Sequence, residues 1–162
     1  MRVSHNIEPY YSRDSKILIL GTMPSLKSRE EGFYYAHPQN RFWSALAYIF
    51  KEEIPSSIEA KKVFLKKHKI ALWDVLKACD IKGSDDSSIK NPVPNDISRL
   101  LKKTAITNIY VTGKKALFLY NKFILKETNI NPIYLPSTSP ANRQITDEQL
   151  KKSFEIIKNN LK

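Results

Sequence analysis

The sequence predicts an α/β fold in which helices cover a central, mostly parallel four-stranded sheet. Short β-branched and aliphatic runs alternate with longer segments of helical period, the pattern of strands joined by helical crossovers. Two of only four glycines, Gly21 and Gly113, stand directly after the first and third of those runs. A length of 162 residues fits a single domain, 1–162, which can remove about 70% of its unfolded surface from water without disulfides.

The strands are expected at 16–20 (KILIL), 69–73 (KIALW), 108–111 (NIYV) and 132–135 (PIYL). Between them, Phe42, Leu46, Ile49 and Phe50 recur at i, i+4, i+7 and i+8, as do Ala116, Tyr120, Phe123 and Ile124. Each set makes one buried helix face. Ala60, Val63 and Phe64 mark a shorter helix whose start is expected at Ser56, with Glu59 completing a capping box; Thr146 and Gln149 repeat the device before Leu150, Phe154, Ile157 and Leu161. Ile97, Leu100 and Leu101 suggest a further amphipathic turn or two. The stretch 82–94 (KGSDDSSIKNPVP) is polar and rich in turn formers, and reads as a long functional or mobile loop. In open parallel sheets the ligand crevice lies outside the carboxyl ends of the strands. The site is therefore expected around residues 21–25, Asp74, residues 112–114 and residues 137–142.

Lys and Arg number 27 against 16 Asp and Glu, a net charge of +11 with a pI near 9.7. That balance suits a polyanionic partner, nucleic acid or an acidic membrane surface, or simply a lysine-rich solvated surface. With 41% hydrophobic and 27% charged residues, disorder and fibrous repeats are poor descriptions. A single cysteine, Cys79, excludes an intrachain disulfide, four-cysteine zinc sites and iron–sulfur clusters, and reads as a packing residue in a reducing cytoplasm. Residues 1–15 lack the apolar core of a signal peptide, and no run approaches about 18 apolar residues, so the chain is expected to be neither exported nor membrane-spanning.

Several chemistries can be set aside on motif grounds. Thr112-Gly113-Lys114 lacks the first glycine of a phosphate-binding loop, and Lys115 replaces its Ser or Thr. What remains is a strand-to-helix turn, or a helix N-terminus where Lys114 and the free amides hold a DNA phosphate. The H-x-E and P-C-x-x-C elements of zinc-dependent base deaminases are absent. His5, His37 and His68 have no metal-ligand spacing, so no metal or cofactor is expected, and His68, among lysines, reads as solvated. Asp85 and Asp86 read as solvated too, whereas Asp74, at a strand end, is expected to hold the site loops by main-chain hydrogen bonds.

The densest signal is Gly21-Thr22-Met23-Pro24-Ser25 followed by Phe33 to Trp43 (FYYAHPQNRFW). A purely structural account is possible: a turn at Gly21 and Pro24, aromatics in the core, and Asn40 capping a helix that begins at Phe42. The segment also resembles the uracil-DNA glycosylase superfamily, whose mismatch-specific branch has an aromatic-A-H-P-x-N-R-F-W stretch matched at Tyr35 to Trp43. More similar still is the hypoxanthine-DNA (deoxyinosine) glycosylase branch. It shares the G-x-x-P-S turn, Y-Y-x-H-P-x-N-x-F-W, W-D-V at Trp73 to Val75, D-S-S-I-x-N-P-V-P-N-D at Asp86 to Asp96, and L-P-S-T-S-P-A-N at Leu135 to Asn142.

The resemblance implies a three-layer α/β/α sandwich and a metal-free, monofunctional glycosylase that removes hypoxanthine from DNA. It implies Asn40 as the catalytic residue, Tyr35 as the aromatic under the extracted base, and residues 139–143 as the loop that wedges into the duplex. Pro140 and Ala141 would fill the void, with Asn142 beside them and Arg143 on a phosphate. Main-chain amides near Met23, Pro24 and Ser25, with the hydroxyls of Ser137 and Ser139, would read the purine; Asn91 would line the pocket; His37 would brace its loop or donate to the base. Met23 and Ser137 replace the asparagine and histidine of the uracil-acting branches. The alternatives are a uracil or mismatch-specific glycosylase, a non-catalytic nucleic-acid-binding domain, or a small-nucleotide hydrolase. A monomer is the simplest assembly for a domain that wraps one lesion.

Overall fold

The computed structural model describes residues 1–5 and 7–161. In chain order the elements are β1 (Arg2–Ser4), β2 (Ile17–Gly21), α1 (Leu26–Glu31), α2 (Phe42–Ile49), α3 (Ile58–Lys67), β3 (Ile70–Asp74), β4 (Leu76–Lys82), β5 (Asp85–Pro94), α4 (Ile97–Leu101), β6 (Asn108–Thr112), α5 (Lys114–Phe123), α6 (Leu125–Thr128), β7 (Ile133–Leu135) and α7 (Asp147–Asn160). Four strands form a sheet in the order β3-β2-β6-β7, and every pairing in it is parallel. The four expected strands are these four, each within a residue or so of its forecast bounds.

Both faces of the sheet are covered, which is why β2 reads as an unbroken apolar run with all five residues buried. Ile17 and Ile19 pack into one layer with Phe42, Leu46, Phe64, Leu65 and Phe154, from α2, α3 and α7. Leu18 and Leu20 face the opposite layer with Ile97, Leu100, Ala116, Leu119 and Tyr120, from α4 and α5, together with Cys79 and Ile81 of β4. The architecture is thus a three-layer α/β/α sandwich. Cys79 is fully buried, as packing requires. No described helix is long and apolar enough to cross a membrane.

Three expectations need correction. Residues 82–94 do not form a loop: β4 and β5 pair antiparallel and, with β1, build a second, three-stranded sheet in the order β1-β4-β5. Along β5 only Ile89 is buried, so the alternation that announces a strand is missing. Pro92 and Pro94 are tolerated because β5 is an edge strand, where a missing N–H breaks no ladder. The capping residue of α3 is Ser57, one position later than expected, its side chain accepting from the Ala60 N–H. His68 is not solvated: its ring stacks on Phe50 with centroids 3.7 Å apart and it hydrogen-bonds Glu52. At Thr146 the capping box forms as expected.

Helix α7 fixes the layer that carries α2, with Phe154 set edge-on to Phe42 at a centroid distance of 6.0 Å. Truncation of a fully buried aromatic leaves a cavity and costs about 3–5 kcal/mol. Phe154→Ala is accordingly expected to lower the unfolding free energy by that amount, measured by urea titration; a loss below about 1 kcal/mol would show that α7 is dispensable to the core.

Candidate active site

At the carboxyl ends of β2, β3, β6 and β7 the chain surrounds a crevice of about 890 Å³. Its walls bring together most of the residues singled out by sequence: Met23, Pro24, Ser25, Tyr35, His37, Asn40, Ser137, Ser139, Pro140, Ala141 and Asn142. Three others stand outside the lining. Asn91 is exposed on β5, with a positive φ of 51°, and its Nδ2 donates to Asp80 at 2.7 Å, so it does not line the pocket. Lys114 and Arg143 are exposed, the former as the first residue of α5.

The residues between α1 and α2 are set by short-range bonds. Tyr35 holds a left-handed backbone, φ 53°, unusual for a bulky side chain and a local strain that packing must sustain. Its ring lies on Phe42, centroids 3.8 Å apart and planes within 11°. His37 Nδ1 accepts from the Gln39 N–H at 3.1 Å, which ties the ring to its own loop. Asn40 Oδ1 accepts from the Phe42 N–H at 2.9 Å: it ties the first turn of α2 while remaining on the crevice wall. The Ser25 hydroxyl caps α1 by accepting from the Ser28 N–H.

The loop after β7 is held by its own side chains and by one arginine. Ser137 Oγ accepts from the Ser139 N–H, and Ser139 Oγ from the Ala141 N–H, at 3.2 and 3.1 Å. A hydroxyl that accepts from an amide keeps its own hydrogen to donate, so both serines, on the crevice lining, retain a donor. Asn142 Nδ2 donates to the Ser137 carbonyl at 2.9 Å. Arg41 spans the loop, donating to Asn142 O, Ile145 O and Asp147 Oδ1 at 2.9, 2.8 and 3.0 Å. Its place in the motif was visible in the sequence; its three distant acceptors were not.

The floor holds a group whose role the sequence misassigned. Asp74 ends β3 with 3% of its surface exposed, and its Oδ2 has no hydrogen-bond partner. Its side chain does not fasten the loops. That work falls to its carbonyl, which accepts from Nδ2 of the buried Asn95 at 2.9 Å, and to the Val75 and Leu76 amides, which donate to Gly21 O and Thr22 O. Gly21 leaves the carboxyl uncovered: a Cβ there would lie 2.8 Å from Asp74 Oδ1 and 3.3 Å from the Tyr35 hydroxyl. Burial pushes Asp74 up to about 8, and the charge of Asp86 adds to the rise. Asp86 itself lines the crevice from the β5 end of the hairpin and is also raised, first by desolvation. Burial raises the Tyr35 phenol as well. Among the described residues no three His, Cys, Asp or Glu side chains cluster as metal ligands would.

Two outcomes follow from this geometry. The folded chain holds the Asp74 proton more tightly than an unfolded aspartate with its ordinary value of 3.8, so stability from this group is complete below that value and declines as pH rises toward about 8. Asp74→Asn is expected to stabilise the fold by a margin that widens from pH 4 to pH 8 and then levels off; a margin independent of pH in thermal melts would contradict the burial assignment. Arg41→Ala removes three charge-assisted bonds and is expected to speed amide exchange across residues 137–147 at least about tenfold, equivalent to about 1.5 kcal/mol or more. Unchanged exchange would mean the clamp is idle.

Comparison with known proteins places this geometry in a family. A model of the uracil DNA glycosylase superfamily matches residues 8–162. A curated hypoxanthine DNA glycosylase of Methanosarcina barkeri is 36% identical over 139 residues, covering 84% of this chain and 86% of that protein. A second, from Methanosarcina acetivorans, is 36% identical over 135 residues, covering 82% and 84%. The fold also matches the solution NMR structure of a Methanosarcina acetivorans protein, with a TM-score of 0.83, 30% identity and 99% of each chain covered. With the crevice at the strand ends, the parallel sheet and matches that run over most of its length, the chain belongs to the uracil DNA glycosylase superfamily.

Proposed function

We propose that this protein is a DNA repair glycosylase that hydrolyses the N-glycosidic bond of hypoxanthine (deoxyinosine) in DNA and leaves an abasic site. The observation that carries the reading is the pair of hypoxanthine DNA glycosylases, each matched at 36% identity across more than four-fifths of this chain. The site supports it chemically. A base inside a duplex must be rotated out of the stack at a cost of a few kcal/mol, least for a mispaired base such as hypoxanthine. Pro140 and Ala141 sit at the rim of the crevice, positioned to fill the vacated space, and the exposed Arg143 and Lys114 supply charge for the phosphates. The extruded base enters beside Tyr35.

Glycosidic cleavage passes through an oxocarbenium-like state, with positive charge on the sugar and negative charge on the departing base. In this reading Asn40 orients the water. Its oxygen has two lone pairs; one accepts the Phe42 N–H, which fixes the direction of the carboxamide, and the other faces the nucleophile. The water oxygen bonds to C1′, the C1′–N9 bond breaks, and the proton released by the water ends on the base. The hydroxyls of Ser137 and Ser139 and the amides near Met23 and Ser25 supply donors to the leaving base, at about 2–4 kcal/mol for a well-aimed donor. Met23 and Ser137 occupy the crevice where the uracil-acting branches use asparagine and histidine, which favours the purine substrate. We place the enzyme in the cytoplasm as a monomer that needs no cofactor.

A release panel on inosine, uracil and xanthosine duplexes tests this directly, in EDTA and under single-turnover conditions. Hypoxanthine is expected to lead, and uracil far ahead of it would overturn the substrate. Asn40→Ala is expected to slow release by about 10²-fold or more while costing about 1 kcal/mol of stability from the lost hydrogen bond to the Phe42 N–H. Undiminished release would return Asn40 to a purely structural part.

A further inference from the structure

We propose that the outer face of α5 is a track for an unpaired DNA strand beside the lesion, with a base stacked on Phe118 and its flanking phosphates held by Lys115 and Lys122. The inference rests on the glycosylase reading above and extends it from the lesion to the strand next to it. Four observations point to it. Phe118 is 57% exposed, more than any other aromatic side chain among the described residues. Lys115 Nζ and Lys122 Nζ lie 5.7 and 5.8 Å from the centre of its ring, and the three residues share one helix face at i, i+3 and i+7. Residues 113–126 (GKKALFLYNKFILK) hold four lysines and no acid, and no salt bridge among the described residues involves any of them. Lys115 stands near enough to the crevice for its charge to bear on Asp86, one of the lining residues, so the track opens at the mouth of the site.

The stability of the helix does not account for these side chains. Its buried side is Ala116, Leu119 and Tyr120, and Phe118 is turned away from it. The first turn carries two lysines and no acid, although the macrodipole favours anions at that end. A lysine leaning over an exposed ring gains little in water and can exchange that contact for a phosphate. The other rings that carry cations do not offer the same surface. Trp43 under Lys61 and Phe33 under Lys62 are buried, and Tyr48 carries the single Lys151. Topology then favours a single strand over a duplex. Because β6 and β7 are parallel and both end at the crevice edge, α5, which follows β6, runs back from that edge along the side of the sheet. At 1.5 Å per residue, Phe118 lies about 6 Å and Lys122 about 12 Å along the helix from its first residue. A duplex laid across the edge is too stiff to follow that descent, whereas an unpaired strand can turn along it. Only an unpaired base presents a bare face to a phenyl ring, and such stacking accepts any base.

The test measures anisotropy of a labelled, lesion-free oligothymidylate with the wild type, Phe118→Ala, Phe118→Trp and Lys122→Gln, beside base release from inosine in a single strand and in a blunt duplex. Phe118 is exposed, so its variants are expected to melt as the wild type does. Phe118→Ala is expected to weaken oligothymidylate binding about tenfold or more, and Phe118→Trp to retain it. Lys122→Gln is expected to lower the slope of log affinity against log salt by about 0.7. On the single-stranded lesion Phe118→Ala is expected to raise KM with kcat unchanged, and on the blunt duplex to change neither. Equal oligothymidylate binding by the wild type and Phe118→Ala, or a loss as large on the blunt duplex, would overturn the track. Binding that depends on Lys122 but not on Phe118 would mark a plain anion surface and overturn it too. The binding arm needs no chemistry, which separates the two failures. If the wild type releases no base, the glycosylase reading fails while Phe118-dependent binding still supports the track; release with binding indifferent to Phe118 sinks the track alone.

Discussion

Four parallel strands end at one edge of the sheet, and both faces of that sheet are closed by apolar layers. Ile17 and Ile19 face α2, α3 and α7, while Leu18 and Leu20 face α4, α5 and β4, so both faces are lined by apolar side chains. Polar chemistry is confined to the edge, where the backbone leaves the sheet. There the turn after β2, the end of β3, the start of α5 and the loop after β7 converge. Residues as distant in sequence as Gly21, Asp74, Thr112 and Ser137 share one crevice because parallel pairing aligns their strands end to end.

The parts of this arrangement that follow simple periodicity were legible in the sequence. The four central strands announced themselves as short aliphatic runs, and α2, α5 and α7 as apolar positions at helical spacing, because burial on a defined face imposes a period. The β4–β5 hairpin was not legible. Its outer strand buries only Ile89 and carries two prolines, features that composition assigns to a loop. The cap of α3 was misplaced by one residue because Ser56 and Ser57 are equally able to accept from an amide.

Within the site, the expected residues that the structure gathers on the crevice are those carried by a contiguous motif. Tyr35, His37 and Asn40 lie in one segment, and Ser137 to Asn142 in another. Asp74 was recognised as a strand-end carboxylate but given the wrong task, since sequence cannot say whether a side chain turns to the backbone or to an opening. Asn95, which performs that fastening task, and Asp86, which reaches the crevice on the hairpin, were each hidden by elements whose position depends on tertiary pairing. Asn91 shows the opposite error: its motif suggested the pocket, but its backbone turns it toward Asp80.

The clamp made by Arg41 has an energetic meaning for encounter with a duplex. One guanidinium at the foot of α2 holds Asn142, Ile145 and Asp147, so the segment with Pro140 and Ala141 is immobilised when the chain folds. Its conformational entropy is surrendered then, not at association, so in the proposed wedge role the segment would meet a duplex preorganised.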